Sequence, residues 1–433
     1  MTRKQVFLSA IHLLFVLAPL FSFGQQTQQA YSLEDCYQAA KQNLPLLRNT
    51  DLIAAQAALQ QANLDAQRLP RLQLIANGSF QSENISLQFP PNLPIEGVEL
   101  PLYRAQLYAE AQYVLYDGGR LQAAQSEWQT RTAQQQASLA IPEEEVIKQV
   151  QQLFFSIHLL QKQEEILQTG LKTLHEREQA LQNAIAAGAA LESQLLEWQG
   201  QILQTESQLL QIQQNKNSAL RVLSLLTALN IKDSKQLKRA EETAIPPEPG
   251  DFSQRAQMKL FALRQTELEA QNRILEAKRK PTLATFAKAG IGYPNPLNFF
   301  DENISPYGII GLQLSWQPID WKQTKRKKEM LQLQSQSILN ERDQLQQQYL
   351  AEDAQLREQI KRYKKQIDKD KELLQLRQQL VEEADIQLKQ GVITTTDYLL
   401  RWNALQQSKL QLEWHQLQKM QTQHLLHLLH HSI

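Results

Sequence analysis

From Ala105 the chain alternates between apolar and polar positions. Ala105, Leu107, Ala109, Ala111, Tyr113 and Leu115 share one side of an extended segment, and Gln106, Tyr108, Glu110, Gln112 and Val114 the other. The pattern recurs later, with Ile310, Leu312, Leu314 and Trp316 set against Gly311, Gln313, Ser315 and Gln317. Each run has a candidate partner upstream, Leu72, Leu74 and Ala76 in one case and Leu283, Thr285, Ala287, Ala289 and Ile291 in the other. A period of two predicts four strands, over about 71–82, 104–117, 282–293 and 307–317. Strands with one apolar face suit an outer-membrane barrel, and a half-buried soluble sheet has the same period.

Between the strands the period changes to that of helices. Residues 322–390 contain neither Gly nor Pro, enough for a rod of about 100 Å. Along it Ile360, Ile367, Leu374, Val381 and Leu388 recur every seven residues, with Leu356, Tyr363 and Ala384 as a second row. That is a coiled-coil seam. The corresponding rod over 120–187 contains Pro142 followed by three glutamates, which predicts a kink or short break. Gly188 and Gly391 then mark reversals, giving helical hairpins over 120–228 and 322–430.

These elements are duplicated. Asp117 in YVLYDGGRLQAA and Asp320 in LSWQPIDWKQTK are 203 residues apart, as are Gly188 and Gly391, so the Asp-to-Gly interval is 71 in both halves. Pro70 and Pro281 also correspond, with an eight-residue difference that falls between two strands, where a loop absorbs insertion. The expected organisation is a first repeat over 25–228, a linking segment over 229–250 and a second repeat over 251–433.

Composition narrows the function. Among 433 residues, 68 are Gln while Gly (14) and Pro (16) are scarce, which favours long helices over several compact domains. The 45 basic and 45 acidic residues cancel, so there is no global attraction to nucleic acid. Arg3 and Lys4 precede an apolar run to Phe23, and Ser22 and Gly24 fit a cleavage site, so residues 1–24 read as an export signal peptide. The one cysteine, Cys36, excludes a disulfide framework, and a buried thiol is expected.

Catalytic motifs are missing: there is no phosphate-binding glycine loop, GxSxG or HExxH, so no enzymatic activity, cofactor or metal is expected. His424, His427 and His431 share a helix face, with a packing or surface role expected rather than metal binding. Basic residues gather at the strand ends: Arg68, Arg71 and Arg120 in the first half, and Lys278, Arg279, Lys280, Lys322, Lys325, Arg326, Lys327 and Lys328 in the second. Tyr113, Tyr116, Trp316 and Trp321 lie at the same level, as a membrane-interface girdle would, with anionic lipid as the counter-charge. Four strands cannot close a barrel, since the smallest use about eight, and edges cannot stay open in lipid. If the strands span a membrane, three copies would supply twelve.

YSLEDCYQAAKQN, YVLYDGGR, the Gly-centred turns and the duplicated order of elements together resemble the TolC-like outer membrane efflux protein family, over essentially the whole mature chain. The resemblance implies a mostly α fold with a small membrane β part: a homotrimer whose twelve strands form one barrel, continued by a periplasmic α-helical coiled-coil barrel. It implies a passive outer-membrane exit duct of a tripartite efflux or type I secretion machine. Such a duct docks to a periplasmic membrane-fusion adaptor and, through it, to an inner-membrane pump of the RND, ABC or similar class. The docking tips would be Gly188, Ala189, Ala190 and Leu191 with Gly391, Val392, Ile393 and Thr394. Asp397 matches a pore-constricting carboxylate ring, in which like-charge repulsion would raise the apparent pKa. Leu400 stands where some relatives place a second acidic ring, and Ile393 where some place an arginine that holds the closed state. The alternative is a soluble periplasmic coiled-coil adaptor or spacer. An adaptor would ordinarily carry one hairpin flanked by a lipoyl-like domain, whereas this chain has two hairpins.

Overall fold

The computed structural model describes residues 30–83, 86–87, 98–99, 101–248, 251–298, 301 and 303–431; the expected signal peptide lies outside the described residues. The chain enters through α1 (Leu33–Asn43), where the Ser32 hydroxyl accepts from the Asp35 N–H at 3.1 Å and the Asp35 carboxylate accepts from the Ser32 N–H at 2.8 Å. That reciprocal pair satisfies two orphan donors at the helix start. There follow α2 (Asn49–Ala66), β1 (Arg71–Phe80), a short ladder of β2 (Ser86–Leu87) with β3 (Val98–Glu99), and β4 (Tyr103–Tyr116). The first hairpin is α3 (Arg120–Ser138), α4 (Ala140–Ala186) and α5 (Glu192–Thr227). The second half repeats the order as α6 (Ala256–Ala277), β5 (Thr282–Tyr293), β6 (Ser305–Ser315), α7 (Gln323–Lys389) and α8 (Thr395–His430).

The first rod breaks at Leu139, whose N–H reaches back three residues to the Gln136 carbonyl at 3.1 Å. Pro142 then falls in the first turn of α4, where a missing N–H costs no helical bond. The second rod has no such residue and runs unbroken for 67 residues.

The four long strands form one antiparallel sheet in the order β1-β4-β5-β6. Register aligns their apolar positions in rows: Leu72, Ala111, Ala287 and Ile310 form one, and Leu74, Ala109, Ala289 and Gly308 the next. A slip of one residue would turn every one of these side chains over. Among the described residues nothing covers this face, and Leu72, Leu74 and Ile310 are 79%, 76% and 82% exposed. The opposite face carries an ion pair between Lys288 and Glu110 at 3.6 Å, with the Lys288 ammonium 5.2 Å from the Tyr108 ring. One expectation is corrected here. A bulge between Val114 and Tyr116 skips Leu115, which leaves the apolar row, and sets Tyr116 opposite Leu283 on the same face as Tyr113.

Three buried clusters hold the helices. The first joins α1, α4, the end of α5, residues 231–237 and α8 through Cys36, Phe154, Ile157, Leu223, Ile231, Leu237 and Leu417. Cys36 is fully buried, and burial pushes its thiol up to about 12, so it is not a reactive thiolate at neutral pH. The second, near the hairpin ends, contains Leu174, Trp198, Ala384, Tyr398 and Trp402. The third packs Phe252 and Tyr349 against Leu356, Ile360, Leu426 and Leu429.

The heptad on α7 is therefore used inside the chain, with Ile360, Tyr363, Ile367 and Ala384 buried. A second set is not used. Leu196, Leu203 and Leu210, seven residues apart on α5, and Leu373, Leu376 and Leu380 on α7 stay exposed. Phe154 is completely buried where both repeats meet the linking segment. Phe154→Ala is expected to cost about 3–5 kcal/mol, read as a lower midpoint of helical unfolding in detergent by circular dichroism.

Candidate functional site: hairpin tips and strand-to-helix junctions

Both hairpins reverse by the same backbone device. In the first, the Ala189 N–H donates to the Ala184 carbonyl at 2.8 Å and the Gly188 N–H to Ile185 at 2.9 Å; in the second, Val392 donates to Gln387 at 2.9 Å and Gly391 to Leu388 at 3.0 Å. These are the paired bonds of a Schellman cap, which needs a left-handed residue, and both glycines have φ of 71°. Around each glycine the space a Cβ would occupy is open, so the requirement is conformational rather than steric.

The helices leaving the tips start differently. Thr394 caps α8: its hydroxyl accepts from the Asp397 N–H at 3.1 Å, and the Asp397 carboxylate accepts from the Thr394 N–H at 3.1 Å and its hydroxyl at 2.7 Å. At the equivalent position after the first tip stands Gln194, whose side-chain oxygen accepts from the Leu191 N–H at 3.2 Å. Asp397 thus occupies a repeated capping position, and it is fully exposed. The Thr394 hydroxyl first, then its backbone N–H, hold the carboxyl below its ordinary range, the opposite direction to that expected of a charge ring.

Of the tip residues, Gly188, Ala189, Leu191, Gly391, Val392 and Thr394 are exposed and Ala190 is half-buried. Ile393 packs against the cluster of Leu174, Trp198 and Tyr398. The two tips lie side by side, because the Thr396 hydroxyl donates to Glu197 at 2.9 Å and Trp198 stacks on Tyr398 at 5.7 Å. Behind them lies a charged tie that periodicity does not reveal. Arg177 on α4 pairs with Asp385 on α7, which also accepts from Lys389 at 2.8 Å. Burial would raise the Asp385 carboxyl, but the hydrogen bonds from Arg177 and Lys389 outweigh it and hold the group low. The Asp385-to-Lys389 spacing of four was the available signal for half of this tie; Arg177 lies too far away in sequence to be paired with it by inspection.

At the other end, each repeat passes from strand to helix through an Asp-capped turn. Asp117 accepts from the Gly119 N–H at 2.8 Å and the Leu121 N–H at 2.7 Å, and Asp320 accepts from the Thr324 N–H at 2.9 Å. Tyr113, Tyr116, Arg120, Trp316, Trp321, Lys322, Lys325 and Arg326 are all exposed around these turns, and the Trp316 indole N–H donates to the Arg279 carbonyl at 3.1 Å. The three histidines do not converge. His424 contacts Thr243 at 3.1 Å and packs on Phe155, whereas His427 stacks on His431 with ring centroids 4.4 Å apart. Among the described residues no helix is long and apolar enough to cross a membrane.

No curated protein matches the chain by sequence. Solved structures do match its fold. VceC, an outer membrane protein of Vibrio cholerae, is 18% identical with a TM-score of 0.67, over 92% of this chain and 95% of that one. The CmeC outer membrane channel of Campylobacter jejuni is 16% identical with a TM-score of 0.65, over 90% and 83%. The open state of the MtrE outer membrane channel of Neisseria gonorrhoeae is 15% identical with a TM-score of 0.66, over 92% and 88%. Residues 36–229, the first repeat, match the family model described as outer membrane efflux protein. The second repeat carries the same order of elements beyond the matched segment, and the fold of the whole chain is that of these outer-membrane channel structures.

Proposed function

We propose that three copies of this chain form one passive exit duct through the outer membrane, closed as a twelve-stranded barrel and continued by helices across the periplasm. The observation that carries this reading is the open sheet. Its aligned apolar face has no cover, and its outer strands β1 and β6 each leave one edge without a partner in the sheet. In lipid, such edges must pair. Because the four strands alternate in direction, β6 of one copy and β1 of the next are antiparallel, so any whole number of copies closes the ring without a parallel join. The exposed leucine rows on α5 and α7 are the matching requirement in the helical part, where each awaits a neighbouring helix. A soluble adaptor or spacer would need something in the chain to cover the sheet.

The exposed tips around Gly188 and Gly391 are the membrane-distal ends that dock a periplasmic adaptor, and through it an inner-membrane pump. The polar strand face, with the Lys288–Glu110 pair, lines the duct. Asp397, exposed beside the second tip, becomes a ring of three carboxylates in the assembly.

Native mass spectrometry of the detergent-extracted protein should give three copies, and a well-behaved monomer would remove the architecture. Gly188→Val and Gly391→Val should each weaken adaptor crosslinking while outer-membrane insertion persists, because a β-branched residue disfavours the left-handed cap. Unaltered crosslinking in both would reassign the tips. Asp397→Asn, which leaves the Thr394 hydroxyl as a cap, should reduce cation preference in planar bilayers at low salt, where screening is weakest. Unchanged selectivity would leave Asp397 as a capping residue alone.

A further inference from the structure

The strand-to-helix turn is built twice, and the two versions differ where the backbone is most demanding. After Asp117 the left-handed positions are Gly118 and Gly119, with φ of 73° and 87°. After Asp320 the equivalent positions are Trp321 and Lys322, with φ of 52° and 64°. Consecutive non-glycine residues in this region are rare, and a bulky aromatic there is an outlier that needs a compensating interaction. The first turn shows that glycines satisfy the same geometry, so the turn itself does not call for Trp-Lys. At Gly118 a Cβ would lie 2.8 Å from the Lys280 Cβ, whereas the Trp321 side chain projects freely and is 81% exposed. Within the chain, neither the strain nor the exposure is compensated.

The charges around this turn are also one-sided. Asp320 is used as the cap, Glu276 is paired with Lys328 at 2.8 Å, and Glu329 lies 3.9 Å from Lys325. Among the described residues Lys278, Lys322, Arg326 and Lys327 make no ion pair, Arg279 and Lys280 act only at a distance on the already engaged Asp320 and Glu276, and Arg326 and Lys327 lie in the first turns of α7, where positive charge opposes the helix dipole. The apolar face of the sheet runs directly into this belt, since Leu312 and Leu314 on β6 lead to Trp316, and the Trp316 indole ties the belt's two arms together through the Arg279 carbonyl. An occupant must therefore be apolar along the sheet and anionic at its end.

We propose that Trp321 and Lys322, with the unpaired cations beside them, form a headgroup site for anionic phospholipid in the periplasmic leaflet, an inference that rests on the outer-membrane reading above. The indole sits at the headgroup level, Lys322 meets the phosphodiester, and the acyl chains lie on the Leu312 and Leu314 rows. A zwitterionic headgroup brings its own cation and leaves the belt uncompensated, so the site prefers a net negative lipid. The first repeat's turn lacks the pair: Lys280 packs against its Gly118, and of its own Arg68, Arg71 and Arg120, Arg68 already donates to Gln125. The second repeat is therefore the lipid-binding one.

The test uses the full-length trimer in detergent, with phosphatidylglycerol or phosphatidylcholine added at equal concentration and retention read by native mass spectrometry. The parent should retain phosphatidylglycerol preferentially, and added salt should diminish the preference. The double variant Trp321→Gly/Lys322→Gly, which writes the first repeat's glycines into the second, should lower the preference by about fivefold or more. Its thermal midpoint in detergent should not fall, because glycine accepts positive φ freely. Lys322→Gln, which retains the indole, should give an intermediate loss. An unchanged lipid preference in an intact trimer would overturn the headgroup site alone. Loss of the trimer in the double variant would overturn it too, by placing the pair at the subunit seam. Absence of the parent from the outer-membrane fraction would instead defeat the channel reading on which the proposal rests.

Discussion

The structure depends on a sheet that cannot be complete in one chain. Four antiparallel strands leave two edges open and one continuous apolar face uncovered. In water that combination invites aggregation, and in hydrocarbon each unpaired backbone group costs several kcal/mol. The proposed assembly would remove both problems at once, because a ring that pairs the edges also turns the apolar face outward to lipid. The same incompleteness runs through the helical part. Ile360, Ile367 and Ala384 serve seams within the chain, while Leu196, Leu203 and Leu210 repeat at the same interval and stay largely exposed.

Rods this long would be poorly specified if each end were free, and the chain ties both ends. At the base, α1, α4, α5, residues 231–237 and α8 converge on Phe154, Leu223 and Leu417, so the first and second repeats share a core rather than merely touching. Toward the tips, Trp198 donates its indole N–H to the Leu174 carbonyl at 2.7 Å and stacks on Tyr398, which lies beside the Arg177–Asp385 pair. A buried aromatic anchor and a charged tie fix the two hairpins relative to one another at the end where they carry their exposed loops. The aromatic contacts do not depend on pH, but the carboxylate in the tie must be ionised, and protonation as pH falls through its depressed pKa would loosen it.

Much of this was legible in the sequence because two different periods are written into it. Alternation identified the four strand regions and their faces, and the absence of Gly and Pro over 322–390 marked the long rod that α7 realises. Gly188 and Gly391 were legible as reversals because a Schellman cap imposes a residue type, not merely a pattern. What escaped had no local signature. The bulge that drops Leu115 from its row depends on the partner strand, and the Arg177–Asp385 tie joins residues far apart in the chain. Asp397 shows a different failure. Its position was readable, but its bonds to Thr394 give it a local structural role that family likeness alone did not reveal.

Duplication makes the two hairpins near-equivalent, yet the residues that differ between them are concentrated at their ends. At the tips, Leu191 and Gln194 in one repeat correspond to Thr394 and Asp397 in the other, so the same backbone cap is closed by an amide once and by a carboxylate once. At the junctions, Gly118-Gly119 answers Trp321-Lys322. In the proposed threefold ring, six similar hairpins would have ends that alternate between two kinds. Identical caps would serve identical turns, so packing alone does not account for the divergence, with positive φ accepted at non-glycine residues in one junction and a carboxylate cap at one tip; it sets the junctions and tips apart from the rest of the rods.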